Sequence, residues 1–280
     1  MKMIADFKNW NMRLKTGVIA LVLSLIFAFI FPLFHSEDPT AWGTYFRNLP
    51  PCRTHWFGTT GIGQDIFWLL AFSTRNSFII GFLVAAFSTV IGVIVGMIAG
   101  FKGGTVDRII QLVMDTFIVI PALPILILMG SLMRGRASVF AISAVLIVFN
   151  WPWPARQVRS LSISLRERDF IDTARFSGQN VYLIATKEIL PFVMDWSFAN
   201  FVNCVLVAIA AESGLAIIGM SNNAQATLGT MIFWANQHMA MLAGRWWWIG
   251  SPIVAIIVVF LALFLTLSGY QKYNTYIRGK

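Results

Sequence analysis

The sequence of 280 residues predicts an all-α integral membrane protein with six transmembrane helices, and three observations carry that reading. Hydrophobic residues make up 58% of the chain and charged residues only 12%. The mean hydropathy of +0.73 lies far from that of a soluble globular domain. Six long runs are almost free of charge, and the charges that remain gather in the short segments between them.

The first run, 17–34, follows an N-terminal segment 1–16 that carries Lys2, Lys8, Arg13 and Lys15. At 1.5 Å per residue it crosses most of a hydrocarbon layer. It is longer than the core of a signal peptide, ends in the bulky Phe31, Pro32, Leu33 and Phe34, and has no small-residue cleavage pattern, so it reads as an uncleaved first span. Residues 35–74 then form an external cap, rich in turns at Pro39, Pro50, Pro51, Gly58, Gly61 and Gly63.

The second run, 77–99, has Gly92, Gly96 and Gly100 at four-residue spacing. Small residues four apart share one helix face and let another helix approach closely; packing inside one subunit is favoured over a dimer seam. The third run, 109–132, is interrupted by Asp115, Pro121 and Pro124 and reads as a bent helix. The fourth, 137–155, ends in Trp151, Pro152, Trp153 and Pro154, an interfacial aromatic cluster followed by a helix break. The fifth occupies 191–218. The sixth, 246–270, opens with three tryptophans after an external loop 219–245 and leads into a tail 271–280.

Orientation follows from the basic residues. With the N-terminus inside, segments 1–16, 101–108, 156–190 and 271–280 are cytoplasmic, and of the 21 Lys and Arg only Arg47, Arg53, Arg75, Arg134, Arg136 and Arg245 fall elsewhere. That is the positive-inside bias, and it places both termini in the cytoplasm. The net charge of +9 forms no basic stripe, so no nucleic-acid partner is expected. Cys52 and Cys204 have no ligand spacing, and His35, His55 and His238 are scattered, so neither a disulfide framework nor a metal site is expected. There is no GxxxxGK[ST] segment, so any work drawn from ATP must enter through another chain.

The polar segment 156–190 is the most informative part. Asp169 to Thr186 reads as short helices broken around Gly178 and Gln179, ahead of Pro191. Ala174 and Gly178, four apart on a helix, leave a shallow face suited to insertion into a groove of another protein; a solvated amphipathic loop at headgroup level is the alternative. Arg156 and Arg159 are placed to pair with lipid phosphates or with Glu167, Asp169 and Asp172. Two acidic residues, Asp115 and Glu212, stand near or within apolar runs, where carboxylates are costly and face protein or water. A pore-side contact for Asp115 and a gate or receptor contact for Glu212 compete with helix-end or interspan hydrogen bonds. Asp195 reads as structural.

Asp172, Thr173 and Ala174, then Gly178, then Ile189, Leu190 and Pro191 resemble the EAA signature of membrane subunits of binding-protein-dependent ABC importers, with Asp in place of Glu and Thr in place of the first Ala. His55, Phe57, Gly58, Thr59, Gly63 and Asp65 resemble the HPFGTDxxGRD segment of the peptide and nickel branch, which includes the C-type dipeptide and oligopeptide permeases. Gly96, Ala99, Gly100, Gly103, Gly104 and Asp107 resemble its GxxAGYxGGxxD run. Asp115, Pro121 and Leu123 resemble its DxxxxxPxL region, Ala155 to Arg159 its ARxVR lead, and Glu212, Ser213, Leu215 and Gly219 its ExSLSFLGLG stretch.

The resemblance implies a type I ABC importer permease fold with a cytoplasmic coupling helix, in the plasma (inner) membrane of a bacterium or archaeon. It implies no covalent chemistry and no cofactor in this chain, ATP and Mg being bound by two cytoplasmic ATPase subunits or domains. The other implied partners are a second homologous permease, an extracellular or periplasmic solute-binding protein and the lipid bilayer. Asp169, Asp172, Thr173, Ala174, Arg175, Gly178, Leu190 and Pro191 are the residues implied for coupling. Asp115, Glu212 and Ser213 are candidates for a pore or gate, and Phe57, Gly58 and Asp65 for receptor contact. Di- or oligopeptides are the implied solute, with oligosaccharides or nickel as alternatives. An ion-coupled secondary transporter is the runner-up class, disfavoured because no broken-helix site dominates the design.

Overall fold

The computed structural model describes residues 10–122, 124, 125, 127, 128, 138–219 and 225–278, with side chains as far as Tyr273. Among these residues the chain is helical apart from turns and one isolated antiparallel bridge between Thr59 and Asp65.

Helix α1 (Met12–Phe29) begins where the Asn11 side chain accepts the Leu14 N–H, and a short 3-10 turn at Phe31–Phe34 follows it. Helix α2 (Ile66–Lys102) starts at Asp65, whose Oδ1 accepts the N–H groups of Phe67 and Trp68 at 2.9 and 3.3 Å. Its 37 residues make a rod of about 55 Å, well beyond the hydrocarbon layer. Gly103 and Gly104, both at positive φ, turn the chain into α3 (Gly104–Val119), which stops ahead of Pro121. Then come α4 (Val139–Asn150), α5 (Pro152–Arg166), α6 (Asp169–Phe176), α7 (Leu190–Ile217), α8 (Leu228–Gln237) and α9 (Trp246–Arg278).

Among the described residues, five stretches are long and apolar enough to cross a membrane: Met12–Phe34, Ile66–Lys102, Val139–Arg166, Val181–Ile217 and Trp246–Tyr273. The third expected span, 109–132, is represented by the C-terminal part of α3; positions 123, 126 and 129–132 lie outside the described residues. The helix break expected after the Trp151–Pro154 cluster is not formed: α5 runs unbroken from Pro152 to Arg166, and the interruption falls earlier, at Trp151. Pro152 occupies the first turn of α5, where its missing N–H is no loss, so α5 follows directly on α4.

The chain divides into two compact units. One comprises Met1–Gly81, Leu126–Ile142 and Leu206–Lys280, the other Phe82–Ile125 and Ser143–Val205. In the first unit α1 lies along α9 at backbone distance. A Cβ on Gly17 would fall 2.4 Å from the Thr266 nitrogen, and one on Gly269 would fall 2.5 Å from that of Leu14. Ile66, Leu70, Leu228, Met231 and Trp248 form the core of this unit. In the second unit α5 supplies the helix that the glycine face of α2 anticipates. Cβ atoms on Gly92, Gly96 and Gly100 would collide with Pro154, the Ala155 carbonyl and the Arg159 carbonyl. The close approach is internal to the chain, not a seam between copies.

Candidate functional site

Helix α6 is eight residues long and amphipathic. Ile171 and Ala174 point inward, onto a core of Val158, Leu165, Ile184, Ile189 and Val193. Asp169, Asp172, Thr173, Arg175 and Phe176 are exposed. The two aspartates sit in the first turn and Arg175 in the last, the arrangement the helix dipole favours, and Arg175 Nη1 reaches Asp172 Oδ1 at 3.2 Å. Phe176 is 92% exposed, and Val181 and Tyr182 beyond the next turn are exposed at 61% and 75%.

The helix ends in a Schellman motif. The Gly178 N–H donates to the Arg175 carbonyl at 3.0 Å, the Gln179 N–H donates to the Ala174 carbonyl at 3.2 Å, and Gly178 has φ of +76°. The expected shallow face of Ala174 and Gly178 is therefore not formed. Ala174 is buried beneath α6, and Gly178 lies beyond the helix end, where a left-handed backbone and not a small side chain is what its position requires.

Asn180 restarts the chain by accepting the Leu183 N–H, and a π turn over Ile184–Ile189 leads into α7. Pro191 accounts for that widening: it has no N–H for the Lys187 carbonyl, and its ring needs the space that carbonyl would occupy. Leu190 is half-buried and Pro191 exposed.

The arginines of α5 find partners other than those expected. Arg159 grips Asp107 of α3 through two hydrogen bonds of 2.5 and 2.7 Å, and Arg156 pairs with Asp115, also of α3. Arg166 donates to the Phe101 carbonyl at 3.4 Å, near the C-terminal end of α2. Neither Arg156 nor Arg159 pairs with Glu167, Asp169 or Asp172, because α3 brings its own aspartates alongside α5. The Arg159 hydrogen bonds hold the Asp107 carboxyl below the usual carboxylate range. Asp115, a pore candidate, is thus an interhelix ion-pair partner whose side chain stays 43% exposed.

Glu212, in the last turns of α7, is fully buried against the start of α8. Thr227 caps that helix in a capping box with Thr230, and the Thr227 hydroxyl donates to Glu212 Oε1 at 2.8 Å. Ser77 Oγ accepts the Leu228 N–H at 3.1 Å, and Asn76 donates to the Ala226 carbonyl at 2.7 Å. A carboxylate at a helix N-terminus meets the positive end of the dipole, so of the competing readings the geometry matches a helix-end hydrogen bond. Ser213 is buried beside it, with a hydroxyl that finds no hydrogen-bond partner among the described residues. Thr227, Thr230 and Asn76 carry no sequence expectation, whereas Ser77, with Arg75, resembles the Arg and Ser that open the second span in the peptide and nickel branch. The Thr-x-x-Thr spacing ahead of an apolar run was the available signal.

Of the receptor-contact candidates only Phe57 is accessible, at 39% exposure. Asp65 is buried, capping α2 through Oδ1 and holding His55 Nδ1 at 2.6 Å through Oδ2. Gly58 is buried at positive φ, with the Leu49 carbonyl 2.5 Å from where a Cβ would stand. Gly58 and Asp65 are therefore parts of the cap's internal scaffold and do not form its outer surface. Among the described residues no three His, Cys, Asp or Glu side chains gather to hold a metal ion.

Comparison with known proteins places this geometry. Residues 92–275 match the family model described as binding-protein-dependent transport system inner membrane component. The chain is 29% identical over 263 residues to the dipeptide transport system permease protein DppC of Bacillus subtilis, covering 93% of this chain and 81% of that protein. It is 31% identical over 225 residues to the oligopeptide transport system permease protein OppC of Mycobacterium bovis, covering 79% and 77%. A probable D,D-dipeptide transport system permease protein, DdpC of Escherichia coli, is 28% identical over 94% of this chain and 85% of its own length. Among solved structures, a chain of the MetNI methionine ABC transporter in inward-facing conformations matches with a TM-score of 0.57 at 19% identity, covering 73% of this chain and 96% of that one.

Proposed function

The chain belongs to the family of binding-protein-dependent transport system inner membrane components, and from that premise we propose that it is one of two permease subunits of an ATP-driven importer of di- or oligopeptides. An external binding protein delivers the solute, a second homologous permease completes the path, and two cytoplasmic ATPases supply the motion. The solute class rests on the relatives named for dipeptide and oligopeptide transport. Both termini, and α6 with them, lie on the cytoplasmic side.

The observation that carries the coupling role is the two-sided construction of α6. Its inner residues Ile171 and Ala174 are locked to the bundle, while Asp169, Asp172, Thr173, Arg175 and Phe176 remain outside. A push on the outer face of so short a helix passes into α5 and α7 through the core that Ile171 and Ala174 share with Val158, Leu165 and Val193. Exposed aromatics on both sides of the Gly178 turn, Phe176 and Tyr182, suit the apolar floor of a cleft in the ATPase. Nucleotide-driven closure of the two ATPases then switches the pore between outward- and inward-facing states.

The test is a disulfide or bifunctional cross-link from Phe176→Cys in the assembled complex. The expected product joins permease to ATPase, with a yield that changes on adding ATP. A product with the binding protein, or none in a complex that still transports, would overturn the assignment.

A further inference from the structure

Within the first unit a cavity of about 840 Å³ opens between α1, α9, the start of α2 and the cap, a volume in the range of ligand sites, about 300–1,000 Å³. Leu23 and Phe27 of α1 face Val254 and Val258 of α9 across it, and Trp56, Trp246 and Trp247 lie where the cap meets α9.

The lining contains three hydroxyls, and each is turned away into its own helix. Ser24 donates to the Ala20 carbonyl at 2.8 Å, Thr74 to that of Leu70 at 2.7 Å, and Ser251 to that of Trp248 at 3.5 Å. The Trp248 carbonyl is the one Pro252 cannot serve with an amide, so Ser251 is committed there. The other polar side-chain atoms of the lining are the indole N–H groups of Trp56, Trp246 and Trp247, gathered where the cap meets α9, so an occupant with backbone amides along its length, such as a peptide, would find most of its polar groups unmatched in this groove. A hydrocarbon chain would lose nothing.

The chain on either side of the mouth carries the opposite chemistry. Tryptophans gather at the headgroup level of membrane proteins, and Trp56 and Trp246 are each 63% exposed. Arg53 lies three residues before Trp56, and Arg245 immediately precedes Trp246. Neither arginine has an ion-pair partner among the described residues, whereas the cap's acids are engaged: Glu37 with Tyr45, Asp38 with Thr40 and Asp65 with His55.

We propose that this groove is a phospholipid site, with an acyl chain between α1 and α9 and an anionic headgroup held by Arg53 and Arg245. In a bilayer the chain gains little from leaving other lipid, so the guanidiniums and the fit of the groove must supply the preference over bulk lipid. The proposal is independent of the solute and of the coupling role of α6.

The test is native mass spectrometry of the purified permease–ATPase complex titrated with phosphatidylglycerol or phosphatidylcholine. Gly250 lines the groove, and a Cβ there would meet only the Trp246 ring, at an ordinary contact distance of 4.0 Å, so Gly250→Phe narrows the site. Phosphatidylglycerol binding roughly tenfold weaker in Gly250→Phe, and loss of the preference over phosphatidylcholine in Arg53→Gln/Arg245→Gln, are the expected results. The arginine pair keeps the test valid should the glycine variant fail to assemble. Equal adducts in wild type and variants would overturn the proposal, as would a photo-cross-link from position 254 to the partner permease instead of to lipid.

Discussion

Helix α6, which precedes α7, and the far end of α7 carry carboxylates in opposite settings. Ahead of the start of α7, Asp169 and Asp172 stand exposed on α6, with Asp172 tied among the described residues only to Arg175 one turn away. Near the finish of α7, Glu212 is fully buried and receives the capping hydroxyl of another helix. The difference teaches what each region is free to do. A buried acid at a helix N-terminus is fixed by the cost of moving it, whereas exposed acids paired within one turn can exchange partners at little cost. Asp107 stands between these limits, with its side chain 16% exposed and gripped twice by Arg159.

That gradation can be broken by substitution. Glu212→Ala leaves the α8 cap without its acceptor in a buried site and is expected to cost about 3 kcal/mol, read as a lowered thermal midpoint of the purified complex. Glu212→Gln, which keeps a carbonyl oxygen for Thr227, should recover much of that loss. Near-wild-type melting in Glu212→Ala would remove the distinction between the two regions.

Asp107→Asn should cost about 2 kcal/mol at neutral pH, and its pH dependence is the sharper reading. The folded-state pKa of Asp107 is lowered by Arg159, so its contribution is present above the unfolded carboxylate pKa and is lost as pH falls through the lowered folded value. The wild type and Asp107→Asn melting curves should converge in acid; a difference that persists there would mean that packing, not charge, is at work.

Asp172→Asn should change stability by less than about 0.5 kcal/mol while lowering ATP-driven transport in proteoliposomes. A loss of stability as large as that of Glu212→Ala would place Asp172 in the fold's support instead of at a partner's surface.

Much of the architecture was legible because a bilayer leaves so few options. Long uncharged runs have to be helices, and the ordered motifs from His55 to Gly219 identify the family that the match over residues 92–275 establishes. Gly92, Gly96 and Gly100 announced a close helix crossing, though not that α5 would fill it. The break around Gly178 and Gln179 is where the spacing puts it, but the helix face shared by Gly178 and Ala174 is not formed. The spacing of Gly178 from Ala174 fits such a face, but a glycine just after a basic last turn is also the signal for a left-handed helix end. The partners of Arg156 and Arg159 were out of reach, since Asp115 and Asp107 are 41 and 52 residues away and nothing local favours them over Glu167 or Asp169.

By itself the sequence determined that this chain is a membrane-embedded helical permease with one conspicuous polar segment ahead of its fifth expected span, because apolar length and motif order are written along the chain. Only the tertiary structure decided which polar residues are spent inside the protein and which are left for partners. That choice depends on burial, and burial is set by distant helices: α3 brings acids to α5, α8 brings its N-terminus to Glu212, and the core beneath α6 turns Ala174 inward and leaves Asp172 outside.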